Sequence, residues 1–208
     1  MKYILGIDIG TTAIKAAVIG EDGEIYGTKT SEYPLTTLPS GEVEADLSLY
    51  EEAFKQFIKE SVKNARVPVK DIKCIGFSST AETCVFLDEN NKPLCKVIAW
   101  MDTRATKEAK ELTEQFEKQD IIKKVGFDGI YAIHPISKIL AVKHKTPEIF
   151  EKTRMFAQIK DYFIFKLTGT YYTDHSTASD HGFLILQIAV TGKKCLHIQE
   201  SKKNIFQS

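Results

Sequence analysis

Gly6-Ile7-Asp8-Ile9-Gly10-Thr11-Thr12 joins two strand-like runs through a link too short for a helix, and the fold class follows from that shortness. The run before it, residues 2–8 (KYILGID), and the run after it, residues 13–19 (AIKAAVI), carry the apolar, β-branched content of strands. Residues 24–33 make a third run, set off by the turn Glu21-Asp22-Gly23. A parallel pair needs a crossover of a dozen residues or so, which neither link can supply, so the three runs are expected to form an antiparallel meander.

The same loop suggests phosphate chemistry. Gly10, Thr11 and Thr12 are small, so their backbone N–H groups can approach an anion closely, and the threonine hydroxyls add donors. Asp8, two residues before the glycine, suits a hydrated Mg²⁺ that keeps most of its waters. A Walker loop, with its Gly-Lys-Ser/Thr ending, and a G-x-G-x-x-G dinucleotide fingerprint are both absent. The plain alternative is a hairpin in which Gly10 only supplies an unusual backbone angle. Lys15 has two readings as well: it approaches phosphate, or it points to solvent from the second strand.

Further along, residues 46–65 change to helical spacing, with Tyr50, Ala53, Phe54, Phe57, Ile58, Val62 and Ala65 on one face and Asp46 or Ser48 able to cap the start. A buried strand is expected at 72–78, then a hairpin of 83–88 and 94–100 closed by Glu89-Asn90-Asn91. One helix is expected from 103 to about 119, two shorter ones at 137–144 and 147–153, a strand at 154–159, a helix at 160–167 stopped by Gly169, and a strand at 170–173. No internal repeat interrupts the chain, which reads as one α/β domain with a mixed sheet and antiparallel hairpins.

Lys+Arg and Asp+Glu balance at 28 each over 208 residues, so no global attraction to nucleic acid or to a membrane surface is expected. No apolar run is long enough to cross a bilayer, and no signal-peptide pattern opens the chain. Cys74, Cys84, Cys95 and Cys195 form no C-x-x-C pair and read as reduced core thiols, which points to a cytoplasmic protein.

Five segments in order carry a family resemblance. The Asp8-Ile9-Gly10-Thr11-Thr12 hairpin resembles the first phosphate motif of the actin–hexokinase–Hsp70 superfamily, a ribonuclease H-like fold. Gly41-Glu42-Val43-Glu44-Ala45-Asp46, the strand and loop from Ile75 to Thr83, Trp100-Met101-Asp102-Thr103-Arg104, and Lys160-Asp161-Tyr162 with Leu167-Thr168-Gly169 and residues 173–179 are similar to the FGGY carbohydrate kinases. The match covers residues 2 to about 183.

The resemblance implies transfer of the γ-phosphoryl of ATP, with Mg²⁺, to a hydroxyl of a small sugar or polyol, a pentulose such as xylulose being favoured. It implies that Asp8 organises the Mg²⁺ shell while Gly10, Thr11, Thr12 and Lys15 meet phosphate. Thr80, Ala81, Glu82, Trp100, Asp102 and Arg104 would line the sugar site, with Glu82 accepting from hydroxyls and Trp100 as an apolar wall. For Glu82 the plain alternative is a solvated loop carboxylate, and for Asp102 and Arg104 an internal brace that shapes the loop. Ala81 stands where glycerol kinases carry an arginine, and the Met-His pair of xylulose kinases is missing. His134 either reaches the cleft or packs. Asp174, His175, Asp180 and His181 lack the spacing of a zinc site, and Asp174 reads as part of a strand-and-turn motif.

The pattern breaks after Phe183, so the domain is expected at 1–183 with an aberrant tail at 184–208. A one-base slip of reading frame there would restore a family-like continuation, which sequencing the gene across Phe183 and Leu184 tests. No catalytic base is identified. A truncated fragment that binds sugar without catalysis is therefore the alternative expectation, and a homodimer is expected only of a full-length form. An actin-like structural module would predict polymerisation surfaces and no sugar contacts, and the motifs at 100–104 and 160–179 argue against it.

Overall fold

The computed structural model describes residues 1–174 together with Ser176 and Thr177. The expected meander is present as β1 (Tyr3–Ile9), β2 (Ala13–Gly20) and β3 (Ile25–Glu32), antiparallel throughout. Two short strands, β4 (Thr36–Thr37) and β5 (Val43–Ala45), lead to α1 (Leu47–Ala65), after which β6 (Ile72–Ser79) returns parallel to β1. The first sheet therefore runs β3-β2-β1-β6 and is mixed.

A second sheet, of order β4-β5-β8-β7-β9, is built with β7 (Cys84–Leu87), β8 (Val97–Ile98) and β9 (Met155–Gln158). Helices α2 (Thr106–Gln115), α3 (Lys118–Val125), α4 (Pro135–Lys145) and α5 (Pro147–Lys152) fill the segment between β8 and β9. Helix α6 (Ile159–Thr168) follows β9 and ends at Gly169, whose φ of 75° is the left-handed cap a glycine takes without penalty.

Helix α1 forms where its apolar period predicts. Tyr50, Ala53, Phe54 and Phe57 are buried in one core with the apolar residues of β1 and β2, and the Phe54 ring stacks on Phe163 of α6 at 4.1 Å. Asp46 occupies the N-cap with extended backbone, but its side chain makes no capping bond. Gly27 of β3 lets the helix come close: a β-carbon there would stand 2.6 Å from the Ser61 carbonyl oxygen. A second apolar core gathers Phe86, Ile98, Leu112, Ile121, Ile139 and Phe156.

Several expectations are corrected. Strand β6 is not buried: among the described residues it pairs only with β1, and Ile75 remains 41% exposed. Phe77 packs toward Phe54, whereas Cys74, Gly76 and Ser78 alternate onto the sheet's open face, so Cys74 is an exposed thiol and not a core one. Cys84 and Cys95 are free, and burial pushes both thiols up to about 11. Cys195 lies outside the described residues.

The helix expected over 103–119 is two helices. Phe116 and Glu117 take extended backbone between α2 and α3, which brings Phe116 and Ile121 to the same core. A straight helix would have turned those two side chains about 140° apart. Residues 170–173 join no sheet. Gly10 does not take a positive φ; its role is close approach, since a β-carbon would meet the Ala13 carbonyl oxygen at 2.9 Å.

If Gly27 is a packing requirement, Gly27→Ala should lower unfolding free energy by about 1–3 kcal/mol through overpacking against α1. Chemical denaturation should show a lower midpoint with an unchanged slope, and an unchanged midpoint would mean that α1 does not need this approach.

Candidate functional site

The phosphate-type hairpin sits at the end of β1 and is held from three sides. Gly10 N–H donates to Ala13 O at 2.9 Å, the Tyr33 hydroxyl donates to Gly10 O, and Trp100 Nε1–H donates to Thr11 Oγ1 at 3.0 Å. Strand register sets the charges beside it. Thr30, Lys15, Asp8 and Ser78 face one another in a row across the four strands, and the next row is Thr28, Ala17, Gly6 and Gly76. The small second row leaves a trough of about 550 Å³ on the open face, bordered by Asp8 and Lys15. Lys15 is solvent-exposed, as one of its two readings has it, and is the direct cross-strand neighbour of Asp8.

Glu82 follows the end of β6, where Thr80 N–H donates to Ile9 O at 2.8 Å and ties the loop to β1. Far from a solvated loop carboxylate, Glu82 is 9% exposed. Its φ of 64° places a non-glycine residue in the left-handed region, a conformation that costs free energy and persists only where the surroundings enforce it. The enforcement is visible on both sides of the residue. Glu82 N–H donates to Gln158 Oε1 at 3.0 Å, and Lys138 Nζ donates to Glu82 O at 2.8 Å. Thr80 and Ala81 precede it half-buried.

His134, whose fate the sequence left open between cleft and packing, lies beside Glu82. Its Nε2 stands 3.8 Å from Glu82 Oε1 and has no hydrogen-bond partner among the described residues. Its Nδ1 accepts the Tyr131 N–H at 3.0 Å, and because a backbone N–H can only donate, the neutral ring carries its proton on Nε2. Burial and then the Lys138 charge depress its pKa from 6.5 to about 4.

Asp102 is 0% exposed and forms the brace that was one of its two readings. Its Oδ2 accepts Val43 N–H at 2.6 Å and Arg104 Nη2 at 2.8 Å, and its Oδ1 accepts the Arg104 backbone and Nε, each at 2.9 Å. Arg104 also reaches Glu44 at 3.2 Å, and Thr103 bonds the carbonyl of Gly41, whose φ is 89°. Residues 41–44 and 99–104 are thus folded onto each other. Trp100, at the end of this loop, is half-buried and polar-linked to Thr11 as well as being an apolar surface.

The Lys160-Asp161-Tyr162 segment supports Glu82 indirectly. Gln158 and Asp161 form a capping box at the start of α6, and the same Gln158 accepts the Glu82 N–H. Lys160 pairs with Asp174 and donates to Thr177 Oγ1 at 2.6 Å. Burial pushes Asp174 up, but Lys160 and Thr177 outweigh it and hold the carboxyl below the ordinary range. Burial dominates at Asp161, raising it to about 6. His175, Asp180 and His181 lie outside the described residues.

Among the described residues no group of three or more acidic, His or Cys side chains could hold a metal alone. A carboxylate oxygen of Asp8, the residue expected to meet a hydrated Mg²⁺, lies 4.0 Å from where a β-carbon on Gly10 would stand. Sequence reasoning missed Lys138 and Gln158, which carried no signal beyond lying in helical and strand runs. Among the described residues no helix is long and apolar enough to cross a membrane.

A model of the FGGY family of carbohydrate kinases, N-terminal domain, matches residues 3–198. A xylulose kinase of Bacillus subtilis (strain 168) is 34% identical over 190 residues, which is 90% of this chain and 37% of that protein. A gluconokinase of the same organism is 33% identical over 187 residues, 89% of this chain and 36% of that protein. The ligand-bound xylulose kinase structure from Lactobacillus acidophilus superposes with a TM-score of 0.83 at 29% identity, covering 93% of this chain and 41% of that one. The chain thus spans about 37% of the length of the curated xylulose kinase that it matches. The fold is the actin–hexokinase type.

Neutral, buried His134 has a signature in stability. Folded, it binds fewer protons than the unfolded chain between pH 6.5 and about 4, so its contribution is present above 6.5 and lost as pH falls through that window. Asp161, raised to about 6, acts with the opposite sign, so the comparison must be with a variant. The unfolding free energy of the unsubstituted protein minus that of His134→Phe should fall by roughly 2–3 kcal/mol between about pH 7 and pH 4. Parallel pH curves would show that His134 is not held neutral.

Proposed function

Because the chain belongs to the FGGY family of carbohydrate kinases, we propose that it supplies the sugar-and-phosphate side of an ATP-dependent kinase acting on a hydroxyl of a small ketose, polyol or sugar acid. The observation that carries this reading is the Trp100–Thr11 hydrogen bond of 3.0 Å, which joins the sugar-type loop to the phosphate-type hairpin. An acceptor hydroxyl bound beside Glu82 and Trp100 is thereby placed next to a phosphate cradle. The xylulose kinase and gluconokinase relatives support a five-carbon ketose or a sugar acid as substrate, with xylulose favoured. The free thiols of Cys84 and Cys95 support a cytoplasmic setting.

In this proposal each residue has a defined task. Glu82, held rigidly in its left-handed conformation, accepts hydrogen bonds from substrate hydroxyls and penalises analogues that lack them. The neutral His134 offers a donor at Nε2 on the same side. Trp100 covers an apolar face of the sugar. Asp102 and Arg104, engaged with each other and with Val43 and Glu44, act by fixing the loop that carries Trp100. Gly10, its own N–H donated to Ala13 O, lets the hairpin close tightly, while Thr11 and Thr12 offer backbone N–H and hydroxyl groups to phosphate and Lys15 adds positive charge on the neighbouring strand. Mg²⁺, when bound beside Asp8, would neutralise phosphate charge. Transfer also needs a carboxylate to accept the hydroxyl proton, a role we assign to no residue described here.

The test is a sugar titration read by Trp100, the single tryptophan of the chain, with ATP-dependent phosphorylation assayed on the full-length protein. Ketopentoses, polyols and aldonic acids form the panel. ATP hydrolysis that no sugar accelerates, together with no sugar-induced change at Trp100, would sink the reading. Glu82→Gln keeps the size and backbone contacts of the residue but removes the charge, and it should weaken sugar binding by about 10- to 100-fold. An unchanged affinity would remove Glu82 from the site.

A further inference from the structure

Lys138 lies on α4 with 0% exposure, among Ile136, Ser137, Ile139 and Ala141. Its ammonium donates to Glu82 O at 2.8 Å, Ala99 O at 3.0 Å and Trp100 O at 3.1 Å, using all three N–H bonds on backbone carbonyls. It forms no ion pair among the described residues; Glu82 and Asp102 offset its charge only at longer range. Taking an ammonium out of water costs several kcal/mol, and a methionine of similar volume would fill the space without that cost. What the apolar residue could not do is connect the three carbonyls. They belong to two separate chain segments, one following β6 and one following β8, which carry Glu82 and Trp100.

We propose that Lys138 is a positioning residue that locks the Glu82 and Trp100 loops into a single sugar-binding unit. The inference rests on the proposed sugar-binding role of those loops. Its mechanism is mechanical and electrostatic. One tetrahedral donor fixes the carbonyl of a left-handed residue on one side and two consecutive carbonyls on the other, so neither loop moves without the other. Lys145, one heptad further along α4, adds a bond from Nζ to Arg104 O at 2.8 Å, anchoring the far end of the Trp100 loop to the same helix.

The experiment compares the whole chain with Lys138→Met and Lys138→Ala, using acrylamide quenching of the only tryptophan, Trp100, and sugar affinity. Positioning predicts far-UV circular dichroism close to that of the unsubstituted protein, more efficient quenching, and sugar binding weakened at least about tenfold. Ethylammonium should restore both readouts in Lys138→Ala, whereas tetramethylammonium, which has no N–H to donate, should not. Affinity within about twofold of the original, or equal effects of the two cations, overturns the proposal.

If the unsubstituted chain binds no sugar, the proposed function fails while quenching and rescue still decide the lock. If neither variant folds, hydrogen exchange of the unsubstituted protein decides it. Peptides containing Glu82 and those containing Ala99 and Trp100 should open together, and opening rates differing by more than about tenfold would refute the coupling.

Discussion

The carboxylate of Asp102 is shut off from water and satisfied entirely by protein donors: the Val43 N–H, the Arg104 N–H and the Arg104 guanidinium. A buried charge is tolerable only when so compensated, and removing one partner typically costs about 3–5 kcal/mol. Geometry follows from that requirement. The Arg104 backbone must turn back toward its own neighbour, Gly41 must take a left-handed φ to let Thr103 approach its carbonyl, and Val43 must present its N–H inward. These demands seat β5 beside β8 and launch α1 directly afterward. One ion pair thus sets the start of α1 and the direction of the chain leaving Trp100.

A second constraint is the number of charged and polar groups gathered behind the site. Glu82, Asp102, His134, Lys138 and Gln158 all have relative exposures of 9% or less. Each polar group in such a setting needs a partner, and five of the bonds found cross between segments far apart in sequence: Val43 to Asp102, Glu82 to Gln158, and Lys138 to Glu82, Ala99 and Trp100. Gln158 serves both the capping box of α6 and the N–H of Glu82. The strained backbone at Glu82 is accordingly held by two elements, α4 and the start of α6. A site fixed this way has its geometry before a ligand arrives, which favours selectivity over adaptability.

The legible part of the sequence was the part governed by local periodicity and by short motifs. The meander could be read because its links are too short for any other topology, and α1 because its apolar face repeats over 19 residues. The break between α2 and α3 could not, since Phe116 fits the helical face and only its destination in the second core shows that the helix must stop. The exposure of β6 was equally hidden. Its composition is that of a buried strand, and burial depends on what covers the sheet, which no local pattern encodes. For Asp102 and Arg104 the motif identified the residues but not which way they face. Lys138 was invisible because one lysine in an apolar helical run looks like a solvated interruption, and its three carbonyl partners lie 38 to 56 residues away.

The two sides of the site differ in how they are built, and the difference has a physical cause. The sugar-type loops have polar side chains that are mostly buried, so their cohesion comes from desolvated hydrogen bonds that water does not weaken. The phosphate-type hairpin lies on an open sheet face, where Asp8 and Lys15 are cross-strand neighbours in contact with solvent and attract each other only weakly. A rigid polar network would be a poor host for phosphate, whose charge needs donors that are not already spent. In the proposed function those donors are the backbone N–H groups that follow Gly10 and the exposed Lys15. Between the two regimes stands Trp100, with its carbonyl in the buried network on Lys138 and its indole N–H on Thr11 of the hairpin. The hairpin is thereby tied to the rigid side at Thr11 Oγ1, while the sheet face beside it, with Lys15, stays open to solvent.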